Sequence, residues 1–117
     1  MFWTLTQVAI GGALGSVLRF LTVSAVGAPF GTFVVNVAGS LAMGVLFVLL
    51  SSRTQLSPLL LTGVLGGFTT FSAFSLDALK LWQAGQAPQA LAYVAGSVLL
   101  SLAAVALGAA LTKGALA

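Results

Sequence analysis

Four long apolar runs account for most of the chain. They extend from about Leu5 to Val26, from Phe30 to Leu50, from Leu59 to Leu81 and from Leu91 to Leu111. Each run is close to the roughly 20 residues that a helix needs to cross about 30 Å of hydrocarbon. The pattern predicts an all-α membrane protein. Its four transmembrane helices are expected at about residues 4–26, 30–51, 58–82 and 89–112.

The connections between the runs are short, and prolines mark the starts of the later helices. Pro29, Pro58 and Pro88 stand where a helix tolerates a residue without a backbone N–H. No basic residue precedes the first run, which is longer than the apolar part of a signal peptide, so we expect it to be retained as a helix. Residues 1–117 are therefore expected to form a single four-helix transmembrane domain.

The third run contains residues that are unusual at membrane depth. Its segment Gly66-Gly67-Phe68-Thr69-Thr70-Phe71-Ser72-Ala73-Phe74-Ser75 combines paired glycines with phenylalanines and hydroxyl groups. Paired glycines weaken a helix, and lipid offers no hydrogen bonds to the backbone groups that a break would release. Non-helical backbone is tolerated at this depth where protein buries it or where it lines a cavity. The segment predicts a third helix broken near its centre and indicates transport.

Composition narrows the possible functions. Hydrophobic residues make up 60% of the chain and charged residues 4%, which leaves too little polar surface for a water-soluble globule. The absence of cysteine and histidine excludes disulfides, thiol chemistry and the usual side-chain ligation of zinc or haem. Because Asp77 is the sole acidic residue, the hydroxyls have no convincing general base, and we do not expect an enzyme.

Four cations are scattered along the chain. Arg53 and Lys113 belong to one side of the membrane in the predicted topology, whereas Arg19 and Lys80 lie toward the other. An excess of Lys and Arg in cytoplasmic loops ordinarily sets orientation, so a balanced chain has no strongly preferred one. Insertion in both orientations, and hence an antiparallel dimer, becomes a serious hypothesis. A net charge of +3 without a cluster supports neither nucleic-acid binding nor a polybasic lipid patch.

Small residues recur at the spacing that lets helices approach closely. Gly11 and Gly15 form a G-x-x-x-G pair, as do Gly63 and Gly67. Such seams join helices either of different subunits or of the same subunit, and the sequence leaves both interpretations open.

Polar residues form one stripe on the second helix and one on the fourth. The stripes consist of Thr32, Asn36 and Ser40 on the second helix, and of Tyr93, Ser97, Ser101, Gly108 and Thr112 on the fourth. A hydroxyl in a helix either bonds the carbonyl four residues earlier or faces a polar path. The amide of Asn36 either bonds a neighbouring helix or offers two donors to an anion in transit.

The two charged residues within the spans also have alternative roles. Arg19 either extends its head to the membrane surface or attracts anions into a wet vestibule. Asp77 is expected near the end of the third helix, where it would pair with Lys80 at i+3. Because no carboxylate is predicted at the centre of a span, a proton-coupled exporter or rotor-ring subunit is disfavoured.

Passive anion passage fits the polar residues better. Neutral donors can replace the water around an anion without trapping it beside a fixed charge. The electropositive ring edges of Phe71 and Phe74 can also face an anion, although two phenylalanines at this spacing equally suit core or lipid packing. The neutral donors of such a lining are Asn36, Ser72, Ser97 and Ser101.

Three blocks of sequence occur in the order found in a known family. They are residues 11–20 (GGALGSVLRF), 31–40 (GTFVVNVAGS) and 66–75 (GGFTTFSAFS). Through these blocks the chain resembles the small Fluc/CrcB fluoride channels over nearly its full length. The resemblance implies a fluoride-selective channel in a bacterial inner membrane. Cytoplasmic fluoride would leave through it passively, down its gradient, which reduces fluoride toxicity.

The resemblance also implies an assembly and a cofactor. The family forms antiparallel homodimers in lipid, with two fluoride pathways and a structural sodium ion at the dimer centre. Gly66 and Thr69 would offer backbone carbonyls to sodium from the break in the third helix, a role that suits an oxygen-seeking cation. Arg19 would serve the vestibule or the packing of its neighbouring helix.

The family pattern assigns roles to the polar and aromatic residues. Phe71 and Phe74 would face the pore and approach fluoride, with Asn36 as the pore-lining amide. The other residues of the implied pathway are Ser101 along the ion path, Tyr93 and Ser97 in support of the phenylalanines, and Thr32 and Ser72 as extensions of the polar track.

The chain departs from the family pattern at three positions. Ala73 stands where Thr is frequent, Phe20 where Tyr is common and Asp77 where Glu is frequent. The change at Ala73 removes one hydroxyl from the polar track. Two other functions remain alternatives: a small dual-topology export transporter, which would need a coupling residue, and an accessory membrane protein whose seams only bind partner helices.

Overall fold

The computed structural model describes residues 1–52 and 55–117. Arg53, which enters the charge balance above, lies outside the described residues. Among the residues that are described, four helical spans are long and apolar enough to cross a membrane, as the apolar runs predict. The spans are Phe2–Val26 (α1), Phe30–Leu49 (α2), Pro58–Gln83, which is the interrupted third span, and Ala87–Leu116 (α5).

The third span is broken near its centre, which confirms the prediction. It begins as a π-helical segment over Pro58–Leu65, continues as the short helix α3 over Gly66–Phe68 and resumes as α4 over Phe71–Gln83. Thr69 and Thr70 between α3 and α4 are extended, with φ and ψ of −89° and 156° and of −151° and 126°. The break therefore falls just after the paired glycines, which themselves remain helical.

The glycines of the third span serve close packing against α1. A Cβ at Gly67 would lie 2.7 Å from the carbonyl oxygen of Gly12, and one at Gly63 would lie 2.9 Å from the Cα of Gly11. A Cβ at Gly15 would overlap the carbonyl oxygen of Val64. Of the two interpretations of the G-x-x-x-G seams, the structure therefore supports contact within one subunit.

Helices α2 and α5 form a second close pair. A Cβ at Gly44 would overlap the carbonyl oxygen of Val105, and one at Gly108 would overlap that of Leu41. The two helices run in the same direction because the third span crosses the membrane between them in the chain. Their polar stripes consequently lie side by side, with Val35 fully buried between neighbouring helices.

Replacement of Gly15 by alanine tests the α1 seam. The added methyl group has no space beside the carbonyl of Val64, so we expect Gly15→Ala to lower the free energy of unfolding in micelles by about 1–3 kcal/mol. Gly96 in α5 has no heavy atom within 4 Å of its ideal Cβ, so Gly96→Ala is the matched control and should be neutral or stabilising. Equal losses of stability in the two variants would contradict the seam.

Candidate functional site

A cavity of about 280 Å³ lies between α2, α5 and the break in the third span. Five of the predicted pore residues line it: Asn36, Phe71, Phe74, Ser97 and Ser101. The rest of its lining consists of Gly39, Ser40, Met43, Thr69, Thr70 and Val98. The cavity is open on one side, where the side chain of Phe71 is 77% exposed.

Asn36 binds the broken backbone directly. Its Nδ2 donates to the carbonyl oxygen of Thr70 at 2.9 Å, and its Oδ1 accepts from the N–H of Thr70 at 2.8 Å. Both backbone groups of Thr70 are thus satisfied at a depth where lipid supplies no partner. One N–H of the Asn36 amide is left for another acceptor, so of the two donors expected for an anion only one remains.

Thr70 also begins the second half of the span. Its Oγ1 accepts from the N–H of Ala73 at 3.1 Å, which makes Thr70 the N-cap of α4, and it lies 3.3 Å from Oγ of Ser72. The sequence prediction overlooked Thr70 as a functional residue. A threonine directly before the resumed helix is a recognisable N-cap signal.

Arg19 contacts the first half of the broken span. Its Nε donates to the carbonyl oxygen of Gly67 at 3.0 Å, and the residue is half-buried. In an unbroken helix, this carbonyl would instead accept from the N–H of Phe71. Arg19 therefore bonds the backbone of the neighbouring third span, and its role in a vestibule stays a prediction.

The N–H groups that would bond the carbonyls of Gly66 and Thr69 in an unbroken helix are engaged elsewhere. The helical donor for Gly66 is the N–H of Thr70, which bonds Asn36 instead; the donor for Thr69 is the N–H of Ala73, which bonds the hydroxyl of Thr70. The described chain has no cluster of three or more carboxylate, histidine or cysteine ligands. Carbonyl oxygens are thus the ligand atoms that a hard cation would meet here.

The aromatic residues form a short chain of contacts along one wall of the cavity. The ring centroids of Phe71 and Phe74 lie 5.5 Å apart at an interplanar angle of 63°, an edge-to-face arrangement. Phe74 is buried and packs on Tyr93 with its centroid 5.3 Å away. Tyr93 therefore supports Phe74 without lining the cavity itself.

The hydroxyl groups separate into two classes. Those of Thr69, Ser75 and Thr112 donate to the carbonyl four residues earlier, the simpler of the two roles considered above. Ser97 is only 4% exposed, and its Oγ has no hydrogen-bond partner in the described part of the chain. The hydroxyl of Ser97 is therefore available to a polar group that enters the cavity.

The expected ion pair between Asp77 and Lys80 is wrong. Asp77 is buried rather than peripheral, and its Oδ2 accepts from Oγ1 of Thr32 at 2.7 Å and from the hydroxyl of Tyr93 at 3.5 Å. Thr32 lies far from Asp77 in the sequence, so local helical spacing could not reveal the contact. Thr32 is 1% exposed and does not line the cavity. Ser72 is exposed and does not line the cavity either, but its hydroxyl bonds that of Thr70, which does.

The fold and the cavity define a class of protein. A four-span membrane helix bundle, in which a broken helix borders a cavity with polar groups in its wall, has the architecture of a channel or transporter. Residues 6–109 match the model of the family described as CrcB-like protein, Camphor Resistance (CrcB). The chain belongs to this family.

Curated relatives extend over nearly the whole chain. A protein of Paracoccus denitrificans (strain Pd 1222) is 54% identical, with 95% of each chain covered. One of Cereibacter sphaeroides (strain ATCC 17029 / ATH 2.4.9) is 52% identical over 97% of this chain and 98% of its own. One of Ruegeria sp. (strain TM1040) is 45% identical over 99% of each. All three are named fluoride-specific ion channel FluC.

Removal of the Asn36 amide tests its role at the break. Asn36→Ala leaves both backbone groups of Thr70 without their partner, so we expect a loss of about 1–3 kcal/mol in the free energy of unfolding. Amide hydrogen exchange should become faster at Thr70. Ser75→Ala, which removes only a bond within α4, is the control and should leave exchange at Thr70 unchanged. Unaltered protection of the Thr70 amide in Asn36→Ala would contradict the assignment.

Proposed function

We propose that the protein is a fluoride-selective channel through which cytoplasmic fluoride leaves passively, down its electrochemical gradient. It is a multi-pass protein of the bacterial inner membrane and not an enzyme. The observation that carries the proposal is the cavity at the break, whose polar lining is neutral. The names of the relatives supply the identity of the ion.

The neutral lining suits a small, strongly hydrated anion. Asn36 has one amide N–H to offer, and the hydroxyls of Ser97 and Ser101 can turn their hydrogens toward an ion. Such donors replace lost water without the deep binding that a fixed cation would cause. The ring edges of Phe71 and Phe74 contribute positive potential along the same wall.

The remaining predicted residues take supporting roles in this proposal. Thr32 and Tyr93 both bond Asp77, and this cluster holds α2, α4 and α5 together about one helical turn beyond Phe74 along α4. Ser72 bonds Thr70 and thus belongs to the cap of α4. Arg19 steadies the first half of the break through Gly67.

We further propose that two copies assemble as an antiparallel homodimer. Gly66 and Phe71 are exposed, and the helical donors of two carbonyls at the break are engaged elsewhere although these carbonyls lie at membrane depth. Lipid cannot satisfy these groups, and a second protein surface over the exposed side of the break would shield them from it. The balanced distribution of Lys and Arg permits insertion in both orientations, and a second, inverted copy can therefore supply this surface.

A sodium ion at the dimer centre fits the unpaired carbonyls. Gly66 and Thr69 of each copy would provide oxygen ligands, which a hard cation prefers. The carbonyl of Thr69 and the N–H of Thr70 belong to one peptide group, and that N–H bonds Asn36. A cation on the oxygen polarises the peptide and strengthens the bond to Asn36, which connects the cation to the cavity wall.

The alternative of a small dual-topology exporter gains one observation from the structure. Asp77 is a buried carboxylate of the kind that could couple transport to protons. It lies outside the cavity, however, and is bonded to Thr32 and Tyr93. A channel therefore accounts for the cavity better than a coupled exporter does.

Substitution of Phe71 tests the pathway. Phe71→Ile replaces a ring edge at the cavity with an aliphatic group, so we expect fluoride efflux from liposomes to fall at least tenfold, about 1.4 kcal/mol in barrier height. Phe47 is 62% exposed and does not line the cavity, so Phe47→Ile is the matched control and should retain efflux. Similar efflux in both variants would count against a pathway along Phe71.

Replacement of sodium tests the proposed cation. If the dimer is purified with a large organic cation in place of sodium, the unpaired carbonyls lose the ion that they would bind, and we expect both thermal stability and fluoride efflux to decrease. Lithium and potassium serve as controls for ionic strength. Unchanged melting temperature and efflux would show that sodium has no structural role.

A further inference from the structure

The polar stripes of α2 and α5 are aligned in register. Because the helices run in the same direction, residues separated by a constant number of positions face each other at successive turns. Three polar pairs follow this rule: Thr32 with Tyr93, Asn36 with Ser97, and Ser40 with Ser101.

The first two pairs are already explained. Thr32 and Tyr93 meet at the same carboxylate oxygen of Asp77. Asn36 binds the break, and Ser97 lines the cavity beside it. The third pair lies one helical turn further along, where Ser40 and Ser101 both line the cavity.

Ser40 and Ser101 differ from hydroxyls that have a purely structural bond. Within the described residues, neither side chain donates to a carbonyl of its own helix or bonds another side chain, unlike Ser75 and Thr112. Both are half-buried, and both belong to the wall of the same cavity. Each hydroxyl is therefore free to rotate its hydrogen toward an occupant of the cavity.

We infer that Ser40 is a further pore residue, which acts with Ser101 as a two-hydroxyl binding step for the anion. This inference rests on the proposed fluoride pathway and extends it by one helical turn beyond Asn36 and Ser97. Two O–H donors from adjacent helices converge on one ion and repay part of its dehydration. Met43 and Val98 border this step with apolar surface, so the hydroxyls are its donors.

Fluoride efflux from liposomes can test the step with five variants. Loss of one hydrogen bond to a charged ion should slow efflux about tenfold, so we expect this decrease for Ser40→Ala. Ser40→Thr keeps a hydroxyl and should conduct faster than Ser40→Ala. Ser75→Ala, an exposed serine-to-alanine change on α4, is the matched control and should conduct like the wild type. The remaining two variants, Ser101→Ala and its combination with Ser40→Ala, complete a double-mutant cycle.

The cycle shows whether the two hydroxyls bind the same ion. Each efflux rate is expressed as a fraction of the wild-type rate. If both hydroxyls bind the same ion, the fraction for the double variant will exceed the product of the fractions for the two single variants, because the second hydroxyl contributes less once the first is lost. Size-exclusion profiles of all variants should match that of the wild type.

Three outcomes would overturn the assignment of Ser40. They are efflux of Ser40→Ala within twofold of the wild type, efflux of Ser40→Thr below that of Ser40→Ala, and independent effects in the cycle. In each of these cases a conducting wild type would leave the proposed channel intact. Absence of efflux from the folded wild type would overturn the channel and this inference together.

Discussion

The pairing of the Asn36 amide with the peptide groups of Thr70 is the interaction on which the rest of the structure depends. A break in a transmembrane helix releases backbone donors and acceptors where no water can bond them. The Asn36 side chain accepts from the N–H of Thr70 at 2.8 Å and donates to its carbonyl oxygen at 2.9 Å. Because α2 carries this amide, the break is held against α2, and the cavity lies beside it.

Each half of the broken span has a further stabilising contact of its own. Arg19 bonds the carbonyl of Gly67 in the first half, whereas the hydroxyl of Thr70 caps the second half at Ala73. α4 therefore begins at Phe71, which sets Phe71 and Phe74 one turn apart on the cavity wall. The contacts that hold the broken backbone thus also bring two phenylalanines and the neutral hydrogen-bond donors of Asn36 and Ser97 to one cavity.

The sequence was sufficient for features that depend on local pattern. Hydropathy revealed the four spans, helical periodicity revealed the stripes with Asn36 and Ser97, and the glycine-rich segment revealed the broken third helix. Features that depend on long-range packing could not be read in this way. Gly67 stays helical and packs closely on α1, while the break falls at Thr69 and Thr70. Asp77 bonds Thr32 rather than the nearby Lys80 because the fold brings α2 beside α4.

The most direct measurement of function is ion efflux from liposomes that contain the purified wild-type protein, loaded with fluoride or with chloride. An ion-selective electrode would follow anion release after an ionophore is added that lets the counter-cation leave the liposomes as well. A fluoride channel predicts rapid release of fluoride while chloride stays inside. Retention of fluoride by liposomes that contain correctly folded protein would contradict the presence of a fluoride pathway in this structure.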